Sequence, residues 1–200
     1  MRSSIRSFCD VIKRIYFHPR AAFQALKFLP APQAGLIAII GRGMLISLFT
    51  YLPMVLMGRE PQIASSISFI PTAQYYKFLT WFSPVIFLFE WALFGSLFYM
   101  VLRLFHQPAD FDMILNISSV IDLAVQPVLI IIDWIIFFIL PNFPAITGVS
   151  HWIVVMAWVT WLCGTGYHEG LGLPWWFGAA FSIISSALHF PLAYLFMRPI

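Results

Sequence analysis

Residues 79–105 hold only Glu90 and Arg103 as charged groups, and residues 127–140 hold only Asp133. Runs of this length and polarity constrain a chain more than any other feature here. About 20 apolar residues in helical form span the ~30 Å hydrocarbon layer of a bilayer. Inside that layer no water pairs with backbone N–H and C=O groups, so each crossing must be a helix or part of a closed barrel. Spans of roughly 20 residues are the length of helical crossings. The expected fold is therefore all-α, a polytopic transmembrane bundle. Composition agrees: the 200 residues are 61% hydrophobic and 10% charged, with mean hydropathy +0.88. A soluble domain carries about 25% charged residues to cover its surface.

Five spans are expected, at about 34–57, 79–105, 113–140, 151–166 and 174–197, so residues 34–200 form one five-helix membrane domain. The third segment is long for one crossing, and its start at 110–119 reads as an amphipathic entry. The motif Pro141-Asn142-Phe143-Pro144 closes it. Residues 58–78 form a mixed loop, with Ile63, Phe69 and Ile70 suited to the interface. Pro53, Pro84, Pro127 and Pro191 fall inside spans, where neighbouring helices satisfy the carbonyls that proline frees.

Residues 1–33 carry Arg2, Arg6, Lys13, Arg14, Arg20 and Lys27. Ile5, Phe8, Cys9, Ile12, Ile15 and Tyr16 recur at helical spacing, which predicts a basic amphipathic helix lying on an anionic leaflet. Pro19 breaks it and opens a second short helix to about Phe28. The first apolar run begins too late for a signal peptide. With the N-terminus cytoplasmic, the inner side gains these six cations plus Arg103, against Arg59, Lys77 and Arg198 outside, so the positive-inside rule predicts N-in. The expected location is the bacterial cytoplasmic (inner) membrane; an odd number of spans puts the C-terminus outside, and a re-entrant third segment would move it inside.

Ionisable groups inside spans are costly and turn toward the bundle interior, so Arg42, Glu90, Asp122, Asp133 and His189 are the candidate functional residues. At the ~1.5 Å helical rise, Arg42 is about 12 Å and Asp122 about 14 Å from the cytoplasmic side, while Glu90 and His189 are near 21–23 Å. Depth therefore pairs Arg42 with Asp122 and Glu90 with His189. Asp122 and Asp133 are three turns apart on one face. That arrangement fits a structural pair with an interfacial Asp133, or else an ion or proton path.

Gly178, Ser182 and Ser186 make a small-residue stripe on the fifth span, for packing within the bundle or against a partner. Trp81, Trp134, Trp152, Trp175 and Trp176 sit near span ends as interfacial anchors, whereas Trp91, Trp158 and Trp161 fall deeper and are expected to pack between helices. His106, Asp110, Asp112, His168 and Glu169 gather in two cytoplasmic loops, and are types a divalent ion accepts, but without a fixed ligand spacing. Solvated loop residues are the plainer reading, so no metal is expected. Cys9 and Cys163 form no paired motif. His189 is the one deep histidine, which argues against haem. Nothing matches a phosphate loop, a HExxH or a GxSxG motif, and no feature points to nucleic acid. No cofactor and no catalysis are expected.

Three segments carry a likeness to a known family: VIKRIYFHPRAAFQAL at 11–26, DFDMILNISSVIDLAVQPVLII at 110–131 and GTGYHEGLGLPWWFGAAF at 164–181. Together with the five-span layout they resemble the Yip (Ypt-interacting protein) family in its short bacterial form. The resemblance implies a non-enzymatic membrane protein that works through partners. Its eukaryotic members bind Rab-type GTPases and carry a long cytosolic N-terminal region, where this chain has about 33 residues before its first span. The expected role is that of a structural or interaction partner in a larger membrane assembly, with the lipid bilayer, a membrane protein or a second copy of the chain as partners. The alternative is a small transporter or ion pathway through the intramembrane charges.

Overall fold

The computed structural model describes residues 2–30, 32–60, 70–139, 153 and 155–196, with side chains described over 7–30, 32–60, 70–135 and 157–188 and at 153. Among the described residues the regular elements are all helical. Two short N-terminal helices, α1 (Arg2–Phe17) and α2 (Pro19–Leu26), precede α3 (Gln33–Leu56), α4 (Tyr75–Leu104), α5 (Phe111–Ile139), α6 (Thr160–Leu171) and α7 (Trp175–Phe196). Three helical stretches are long and apolar enough to cross a membrane: Gln33–Leu56, Thr72–Leu104 and Phe111–Ile135. A shorter apolar helix covers Trp175–Leu188. The predicted Pro141–Pro144 break, Ile63, Phe69, His151, Trp152 and Arg198 lie outside the described residues.

Helix boundaries follow local chemistry. Asp110 caps α5, its Oδ1 accepting the Met113 N–H at 3.1 Å while its carbonyl accepts from Ile114. At the end of α4, His106 adopts φ +54°, and the His106 and Gln107 N–H groups return to the Arg103 and Leu102 carbonyls, a Schellman closure. Gly58 and Gly172 supply the same left-handed turn after α3 and α6. Helix α6 runs on to Leu171, so His168 and Glu169 are helical rather than in the expected loop. Helix α5 is continuous from Phe111, and its expected amphipathic entry exposes Phe111 and Asp112 while Ile114, Asn116, Ile117 and Ser119 are fully buried.

Proline and tryptophan shape α3. Pro53 has no N–H to give the Phe49 carbonyl four residues earlier, and the chain answers with a π turn at Ser47–Tyr51. The Trp134 indole N–H donates to that carbonyl at 2.7 Å, so a residue expected as an interfacial anchor repairs a proline break on a neighbouring helix.

Facing residues give the directions of packing. Gly35 meets Asn116 and Arg42 meets Asp122, so α3 and α5 run parallel. Between them α4 runs antiparallel, with Gly43 against Pro84 and Trp91 donating to the Leu115 carbonyl at 2.8 Å. Helix α6 returns along α5, with Gly170 and Gly166 against Ile117. Helix α7 returns along α6 through Gly164 against Trp175, Gly178 against the Cys163 carbonyl and Ser182 beside Thr160. The predicted stripe of Gly178 and Ser182 thus packs within the bundle, and Ser186 is half-buried further along it. Trp161, expected between helices, is instead 45% exposed.

The N-terminal helices share this core. Val11 and Ile15 of α1, and Ala22, Phe23 and Leu26 of α2, are buried in one cluster with Phe98, Ile117, Leu162 and Tyr167. The buried side of α1 is Phe8, Val11, Ile12 and Ile15, and Cys9 of the expected apolar stripe is exposed. Tyr16 reaches into the bundle, donating its phenol to the Ala124 carbonyl and setting its ring 5.9 Å from that of Trp158. Burial pushes the Tyr16 phenol pKa up.

Candidate functional site

The charged centre lies where α3 and α5 run side by side. Gly35 opens the close approach one end of it: a Cβ there would sit 2.7 Å from Asn116 Oδ1, which instead accepts the Gly35 N–H at 2.6 Å. Two turns on, Arg42 donates through Nη1 to Asp122 Oδ2 at 2.7 Å and through Nε to Gln126 Oε1 at 3.2 Å. Its guanidinium carbon stands 4.3 Å from the centroid of the Phe87 ring on α4. The depth-matched pairing of Arg42 with Asp122 is therefore present as a direct ion pair. Side-chain exposure is 17% for Arg42 and 33% for Asp122.

Each contact has a physical reason. A guanidinium presents five donors in a planar fork, so one carboxylate and one amide oxygen satisfy different edges of it at once. The ring face of Phe87 supplies negative potential to the flat side. Asp122 and Gln126 are four residues apart and project together from α5. Gln126 and Phe87 went unread in the sequence, because an amide beside Pro127 and one phenylalanine among 21 carry no mark of their own.

The other candidates lie elsewhere. Glu90 is buried on α4 at 6% exposure. His189, its expected partner, falls outside the described side chains. Asp133 is three turns along α5 from Asp122, beside Trp134. The five residues weighed as metal ligands do not converge, and among the described residues no three His, Cys, Asp or Glu side chains gather. Asp110 is a helix cap, His106 a helix terminator, and Asp112 is exposed. His168 Nδ1 is 2.8 Å from the Leu173 carbonyl. Glu169 accepts from Gln24 Nε2 at 2.8 Å and stands 3.9 Å from Arg20 Nε, tying α6 to α2.

Comparison with known proteins finds no matching family model, no matching curated protein and no matching solved structure.

Proposed function

We propose that this chain is a five-span, non-catalytic membrane protein that acts as an interaction partner within a larger membrane assembly. The observation that carries this reading is the closure of the Arg42 site. The cation is met by Asp122, Gln126 and the Phe87 face, an arrangement that neutralises the charge and joins three helices. A nucleophile with a matched base is the minimum for membrane-embedded hydrolysis, and none of these residues forms such a couple.

The alternating directions of α3 to α7 support five crossings. In the proposed placement the starts of α3 and α5 face the cytoplasm of a bacterial inner membrane, with the cationic N-terminal helices at that end. The resemblance to the Yip family argues for the same architecture and for work through partners.

A second reading rests on α5. Asn116, Ser119, Asp122, Gln126 and Asp133 recur at three-, four- and seven-residue steps along it, and such a polar line through apolar surroundings suits a proton or ion path. One pair of measurements separates the two. Purification in mild detergent is expected to retain a stoichiometric protein partner, and proteoliposomes of the chain alone are expected to show no proton or cation flux above empty vesicles. Flux that disappears in Asp122→Asn would overturn the assembly reading in favour of the path.

A further inference from the structure

Helix α2 has spent its apolar side. Ala22, Phe23 and Leu26 are at 0% exposure, so the helix is fixed in rotation and its opposite side is held outward. That outward side carries Arg20, Gln24 and Lys27, at steps of four and three residues that keep them on one face. The Arg20 side chain is 83% exposed, and its Nε stands 3.9 Å from Glu169 Oε1. Lys13 and Arg14, at the end of α1, are exposed as well.

Two phenyl rings bracket this cationic face. Phe17 just before α2 is 80% exposed, and Phe28 just after it is 88% exposed. They are eleven residues apart, one on each side of the helix. The second half of the helix reaches the end of the bundle where α3 and α5 begin: Gln24 meets Glu169 near the end of α6, and Phe23 meets Gly166. Cations between outward aromatic rings at a bundle end match the boundary layer of a bilayer, where rings enter the acyl edge and phosphates meet the charges.

The geometry points to a binding surface for anionic phospholipid on α2, with Arg20 and Lys27 engaging the headgroup phosphate and Phe17 and Phe28 seated in the acyl boundary. This rests on the membrane placement proposed above. An exposed planar guanidinium fork suits a phosphate oxygen pair, and cations near an anionic leaflet each strengthen the attraction.

The test uses the full chain in detergent, titrated in native mass spectrometry with phosphatidylglycerol, with phosphatidylcholine of the same acyl chains, and with inorganic phosphate. The wild-type chain is expected to prefer phosphatidylglycerol, and the double variant Arg20→Gln/Lys27→Gln to lose that preference about tenfold. Phe17→Ser/Phe28→Ser is expected to weaken both lipids alike. Equal retention of the two lipids by the wild type would overturn the proposal, and so would an unchanged preference in the double variant. An equal loss in Arg103→Gln, a cation exposed at the end of α4, would reduce the effect to general charge and overturn it too. Competition by millimolar phosphate would assign the surface to a free anion instead. A chain that needs detergent yet shows no lipid preference fails here while leaving the membrane reading intact. A chain soluble without detergent fails both.

Discussion

At the scale of single residues, the energetics turn on Arg42. An ionised group among apolar helices costs several kcal/mol to desolvate, and its partners offset that cost only while all are present. Asp122→Ala leaves the guanidinium with one amide and a ring face, so the folded protein is expected to lose about 3 kcal/mol. Replacing both members, Arg42→Leu/Asp122→Leu, removes the stranded charge along with its partner. The double variant is expected to recover most of that loss, which thermal unfolding of the four members of the cycle in detergent would read directly. A double variant as unstable as the sum of the singles would mean the two charges act independently. The ion pair was legible in the sequence because depth along parallel helices follows from residue count alone. The rest of its shell was not, since rotation about each helix axis decides it, and residue counts do not fix rotation.

At the scale of elements, close approach between helices rests on a few positions where a Cβ would not fit. A Cβ on Gly43 would lie 2.5 Å from the Pro84 Cα, which is backbone and cannot swing away. One turn on, Ser83 donates to the Leu79 carbonyl at 2.8 Å, so the 2.7 Å contact between Ser47 and Ser83 is donated by Ser47. Gly41 differs: a Cβ there would meet Leu123 at an ordinary 3.5 Å. Gly43→Ala is therefore expected to destabilise by about 1–3 kcal/mol through overpacking, and Gly41→Ala to be neutral or to gain about 0.5–1 kcal/mol from helix propensity. Parallel unfolding of the two variants checks the contrast, and equal effects would refute the proposed α3–α4 contact. The α7 stripe of Gly178 and Ser182 was readable because one neighbour, α6, meets the whole of it. On α3 the small residues serve two neighbours, Gly35 facing Asn116 of α5 and Gly43 facing Pro84 of α4, so no single stripe announces them. Likewise, Pro53 signalled a break in α3, but its repair by Trp134 depends on which helix happens to pass the freed carbonyl.

At the scale of the whole molecule, α1 and α2 are part of the bundle's core rather than an accessory to it. Their amphipathic pattern is plain in the sequence and predicts a helix lying on a leaflet, whereas Val11 and Ile15 pack in the core; the residues that suit a lipid boundary also suit a protein interior, because both are apolar. What separates the cases is shape. Phe23 fits against Gly166, where a Cβ would come within 3.0 Å of the ring, and Tyr16 finds an acceptor at Ala124 in the middle of α5. A lipid surface offers neither a matched hollow nor a fixed carbonyl. Phe23→Ala is therefore expected to cost the entire fold about 3–5 kcal/mol, the range for truncating a buried phenylalanine, and to lower the unfolding midpoint of the bundle's helical signal in circular dichroism. Phe17→Ala, at a ring 80% exposed, is expected to leave that midpoint where it was. Were the N-terminal helices a separate surface segment, Phe23→Ala would instead speed proteolysis within residues 1–33 while the remaining helices melted unchanged, and the shared core would be disproved.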